Sequence, residues 1–111
     1  MATATYVHEG KMIDYTPSAA VSAGDVVVQT SLVGVALLDI AASVLGSLAV
    51  AGVFDFPKDV GSASAIPAGT IVYWDATSEV ATATSTGNTL LGKTTLAATD
   101  DDTTVRVRMD Q

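Results

Sequence analysis

Residues 32–56, LVGVALLDIAASVLGSLAVAGVFDF, carry only two charges, Asp39 and Asp55, and the fold depends on what they form. A membrane-spanning helix, a buried helix of a soluble protein and a set of core strands are the three candidates. Length favours the first, since about 18 consecutive apolar residues suffice for a span. The local chemistry argues against it. Asp39 would lie near mid-bilayer at a cost of about 3 kcal/mol. Glycines stand at 34, 46 and 52, and no Lys or Arg occurs between Asp14 and Phe56 to set an orientation. From Leu48 onward the side chains alternate, with Leu48, Val50, Gly52, Phe54 and Phe56 on one face and Ala49, Ala51, Val53 and Asp55 on the other. That period of two belongs to a strand. The stretch therefore predicts central strands, broken near Ser43 and Ser47, that pack a core and part of a subunit interface. A short helix over residues 37–45, from Leu37 to Leu45, is the local alternative, because Ala and Leu favour helix.

The chain has 111 residues, the size of one domain that buries roughly 65% of its unfolded surface without staples. It has no cysteine, which removes disulfides, thiol catalysis and cysteine-ligated metal centres. Residues 1–15 lack the basic and apolar regions of a secretory signal, so the protein is expected to stay where it is made. Five basic residues against a net charge of −7 argue against direct nucleic-acid binding, which rests on clustered Lys and Arg. Only 15% of residues are charged, a thin coat that implies surface covered by other copies or by a partner.

Residues 1–16 have no clean periodicity and read as an extended arm, with an edge strand around residues 11–15 before Pro17. Residues 17–111 read as a single β-rich domain. Turn-then-strand units occur at AGDVV (23–27) and AGTIV (68–72), followed by LVGVA (32–36) and LLGKT (90–94), a weak internal repeat of the kind left by a duplicated β unit. Near the end, Val105, Val107 and Met109 share one face of a strand, and Arg106 and Arg108 the other. Short strands with Gly-rich turns predict a mainly β fold, a small barrel or sandwich with at most one short helix.

GNTLLGKT, residues 87–94, satisfies the phosphate-loop pattern G-x-x-x-x-G-K-[ST]. A working phosphate loop needs a preceding strand and a long following helix. Only 17 residues follow Thr94, so the plainer expectation is a turn at Gly87 and Asn88, then a strand with Gly92 at a bulge or close approach. Asp100, Asp101 and Asp102 lack the loop glycine and bidentate Glu of a calcium site and read as a solvated turn. His8, the single histidine, has only Glu9 beside it and no nucleophile to activate. No catalytic constellation and no cofactor site is found. Tyr73 and Trp74 are adjacent on a strand, so one faces the core and the other a surface or subunit boundary.

The ordered set YVHEG (6–10), IDYT (13–16), AGDVV (23–27), LVGVA (32–36), GVFDFPK (52–58), PAGTIVYWD (67–75), GNTLLGK (87–93) and VRV (105–107) resembles the capsid cement, or head decoration, proteins of tailed phages. The likeness covers nearly the whole chain, and residues 43–47 depart from it where a more polar turn is expected. It implies a non-enzymatic structural protein, β-clip-like in one version of the fold, that forms homotrimers on the outer surface of a phage head. Made in the host cytoplasm, it would bind the major capsid protein and stabilise the head around packaged DNA, without touching nucleic acid or membrane. The implied capsid-binding arm includes Thr5, Tyr6, Val7, His8 and Tyr15, and the implied subunit interface Phe54, Phe56, Tyr73 and Trp74. Two alternatives carry different expectations. One is a nucleotide-binding recombination accessory protein resting on residues 87–94, and the other a different phage structural β module, such as a tail or fibre component.

Overall fold

A computed structural model describes residues 4–7 and 10–111. Nine strands and no helix occur among the described residues: β1 (Met12–Tyr15), β2 (Val26–Gln29), β3 (Leu32–Ala36), β4 (Gly46–Ala49), β5 (Gly52–Pro57), β6 (Ile71–Asp75), β7 (Val80–Thr82), β8 (Thr89–Thr94) and β9 (Thr104–Met109). They form two antiparallel sheets, ordered β1-β4-β3-β2 and β5-β9-β8-β6-β7. The arrangement is a small β-sandwich. The five-stranded sheet curls until Lys58 and Ala81 form a single parallel bridge between its two edges, and it does not close into a barrel.

The weak repeat in the sequence is a repeat of structure. Val27 pairs with Gly34 in the first sheet as Val72 pairs with Gly92 in the second, and Val26 with Val35 as Ile71 with Lys93. The turns agree as well: the Gly24 N–H donates to the Ala36 carbonyl (2.6 Å) and the Gly69 N–H to the Thr94 carbonyl (2.8 Å). Beyond them, the isolated bridge of Val21 with Ile40 matches that of Ile66 with Ala98. Strands β1-β4-β3-β2 thus correspond in order to β5-β9-β8-β6, and β7 is an addition to the second unit.

Residues 37–45 are neither strand nor helix but a loop. Ile40 alone turns inward (5% exposed) and bridges to Val21, while Asp39 accepts the Ala23 N–H at 2.8 Å and Ser43 donates its N–H to the Pro17 carbonyl at 2.7 Å. These bonds consume the backbone and carboxylate groups that a regular element would leave to its own ladder. The expected single strand over residues 48–56 is two. Gly52, at φ 119°, turns the chain from β4 in the first sheet to β5 in the second, so Leu48 and Phe56 are both buried but in different sheets. The expected edge strand forms as β1, at the margin of the first sheet.

One core joins the sheets. Val33 and Val35 of β3, flanked by Val26 and Val28, pack against Phe56, Val72, Trp74, Leu91 and Val107 of the second sheet. The side-chain amide of Gln111 adds a polar tie, accepting from the Val33 N–H (2.6 Å) and donating to the Val33 carbonyl (2.8 Å) on the side of β3 that β4 no longer pairs, opposite β2.

Candidate functional site

The phosphate-loop pattern folds as a turn and a strand. Gly87 and Asn88 turn the chain, β8 follows at once, and no helix comes after it. Lys93 and Thr94 point to opposite faces of the sheet. Thr94 is buried, donating its hydroxyl to the Pro67 carbonyl (2.7 Å) and accepting the Thr70 N–H (3.0 Å), while Lys93 is exposed opposite Arg108. Hydroxyl and ammonium cannot meet on one phosphate chain. Gly92 sits where the β6–β8 register shifts, and a Cβ there would collide with the Arg108 carbonyl.

The acidic turn is a clasp between loops. Asp100 Oδ1 accepts the N–H groups of Ser64 (3.0 Å) and Ala65 (2.8 Å), and Asp102 Oδ2 accepts the Thr99 N–H (2.8 Å). Lys58, 5% exposed, completes the clasp by donating from Nζ to the carbonyls of Asp59 (2.6 Å) and Asp102 (3.2 Å) and to Ser64 Oγ (3.3 Å). All three ammonium hydrogens are used, as a buried cation requires. Sequence reasoning missed this because Lys58 and Asp100 are 42 residues apart in a chain whose loops have no visible pairing.

The four aromatic side chains expected at a subunit boundary divide by depth. Phe56 (1% exposed) and Trp74 (5%) lie in the core with ring centroids 5.9 Å apart, enclosed by their own subunit. Their inward direction on β5 and β6 follows from strand alternation. Phe54 and Tyr73 are half-buried, Phe54 edge-on to Phe56 at 6.2 Å and Tyr73 on the outer face beside Leu90. Of the expected arm residues, Thr5, Tyr6 and Val7 are exposed and belong to no strand, Tyr15 is the last residue of β1, and His8 with Glu9 lies outside the described residues.

Two surfaces stand out. The first is the 37–45 loop, where Leu37, Leu38, Val44 and Leu45 are all exposed. Composition predicted a core there, and nothing among the described residues covers it. The second is the outer face of the five-stranded sheet, where β8 and β9 bring Lys93, Arg106 and Arg108 together between Val53 on β5 and Ile71 on β6. Arg106 forks onto Asp55, with Nε 2.9 Å from Oδ1 and Nη2 3.3 Å from Oδ2. The hydrogen bond from Arg106 holds the Asp55 carboxyl below its usual range, with partial desolvation working against it and the charge of Arg106 adding to it. Alternation showed the two arginines on one face, whereas Lys93 joins them only through the β8–β9 register. A cleft of about 430 Å³ between the units, lined by Asp25, Val26, Trp74 and Glu79 among others, holds no convergent acid–base pair.

A family model described as phage cement protein matches residues 7–109. No curated protein and no solved structure matches the chain.

Proposed function

The chain belongs to the phage cement protein family, and on that premise we propose that it binds the major capsid protein as a homotrimer on the outer surface of the head. The family is one of structural virion proteins, and its role is to stabilise a phage capsid. The observation that carries the proposal is the extent of the match, which takes in all nine strands described above.

The N-terminal segment is the proposed capsid contact, with Thr5, Tyr6, Val7 and His8 as its contact residues and Tyr15 at its root. Its backbone leads directly into β1, whose outer edge has no partner strand among the described residues, so it is suited to adding a strand to a neighbouring sheet. Three such arms on one trimer convert weak single contacts into avidity. Selective binding to the assembled shell then stabilises it by mass action. Copies are proposed to meet through exposed apolar surface, with the 37–45 loop, Phe54 and Tyr73 available for it. The subunit is made in the host cytoplasm before it reaches the head.

Because Met12–Tyr15 is integral to the first sheet, the test is deletion of residues 2–10, which spares β1. The truncated protein is expected to keep its native mass and urea midpoint and to lose co-sedimentation with empty heads. Normal decoration by the truncated form would remove the arm from the mechanism.

A further inference from the structure

The two units are stacked so that the back of the first lies on the front of the second. In the first unit the Val35–Ala49 pair, with Val26 alongside, belongs to the face turned towards the second sheet. The same register in the second unit is occupied by Lys93 paired with Arg108, with Ile71 alongside. That second back is uncovered: Ile71 is 48% exposed, Val53 55%, and the Arg108 side chain 67%. Within one molecule, the same sheet face is therefore a packed contact in one copy and an open, cationic surface in the other.

From this juxtaposition we infer that the outer face of the five-stranded sheet, centred on Lys93 and Arg108 and flanked by Val53 and Ile71, docks an acidic protein surface of the capsid lattice. The inference rests on the cement reading above and adds a second contact to the arm. Charge points to such a partner. Three of the five basic residues of a chain with net charge −7 lie on this face, and of the other two, Lys58 is buried. Lys93 and Arg108 are directly opposed, an arrangement that repels in the free protein and is relieved by a carboxylate between them. Arg108 is only loosely engaged, with Asp110 at 3.9 Å, and Lys93 makes no ion pair among the described residues.

Position assigns the partner to the shell rather than to a second copy. The Lys11 carbonyl accepts the Val50 N–H at 2.9 Å, and two residues later Gly52 pairs with Met109, next to Arg108. The arm therefore leaves the fold at the Arg108 end of this face, and one partner is within reach of both. A nucleic acid is disfavoured by the net charge of −7 and by a face with only three basic residues, too few for a phosphate backbone.

The test uses the full chain with Lys93→Glu and Arg108→Glu together, and with Lys93→Gln and Arg108→Gln as the milder pair. Native mass and urea midpoint are expected to stay at the parent values. Co-sedimentation with empty heads is expected to weaken by about tenfold or more in the Glu pair and less in the Gln pair, and parent binding to weaken as salt is raised. If heads bind parent and Glu variant alike, the face is not a docking site. Loss of the oligomer in the Glu variant would instead make this a contact between copies and overturn the assignment to the shell. Heads that do not bind the parent protein would overturn the cement reading, and this proposal with it.

Discussion

Gly92 is the residue around which the second sheet is adjusted. It faces Val72 on β6 and Met109 on β9, the β6–β8 register shifts beside it, and Leu91 turns wholly into the core (0% exposed). A methyl group there has to displace the Arg108 backbone carbonyl, which is fixed by the β5–β9 ladder. Gly92→Ala is expected to destabilise by about 3 kcal/mol, read from the urea midpoint. Gly34→Ala, at the equivalent place in the first unit, meets the Leu48 side chain at 2.9 Å and is expected to cost less, because a side chain shifts more easily than a ladder. The reverse order would show that the bulge relaxes. The glycine that completes the phosphate-loop pattern is thus required by strand packing.

Strand pairing determines which charges meet. On the β5–β9 ladder Asp55 is directly opposite Arg106, and the folded state lowers the acid and raises the base. A lowered carboxyl contributes stability that is complete above its unfolded value, near 3.8, and is lost as pH falls through the folded value. The raised guanidinium titrates only at extreme alkaline pH, so nothing changes near neutrality. The midpoint deficit of Asp55→Asn relative to the parent is therefore expected to be constant around pH 7 and to close below the carboxylate range. A deficit that persists at pH 2 would show that the pair is not its source. Elements were legible in the sequence where one strand stays in one sheet: residues 104–109 alternate in sequence and in burial alike. Residues 48–56 also alternate, but the passage between sheets falls at Val50 and Ala51, small apolar residues that suit either neighbour. Residues 37–45 look like core because hydropathy registers the side chains and not whether anything lies over them. The cationic face required the pairing of Lys93 with Arg108, which no local pattern encodes.

At the scale of the molecule the two sheets stand or fall together, since Val33 and Val35 of the first share one buried cluster with Phe56, Val72, Leu91 and Val107 of the second. Phe56→Ala is expected to remove about 3–5 kcal/mol and leave a single unfolding transition, with far-ultraviolet and tryptophan signals coincident because Trp74 packs on Phe56. Separate transitions would mean that each unit folds alone. The duplication has a consequence for assembly. A lone unit with an apolar back that fits its own front would add copies without limit, since a heterologous contact that does not close by rotation grows into a fibre. Two units in one polypeptide, the second ending in Lys93 and Arg108 where the first has Val35 and Ala49, form a filament terminated at its second member.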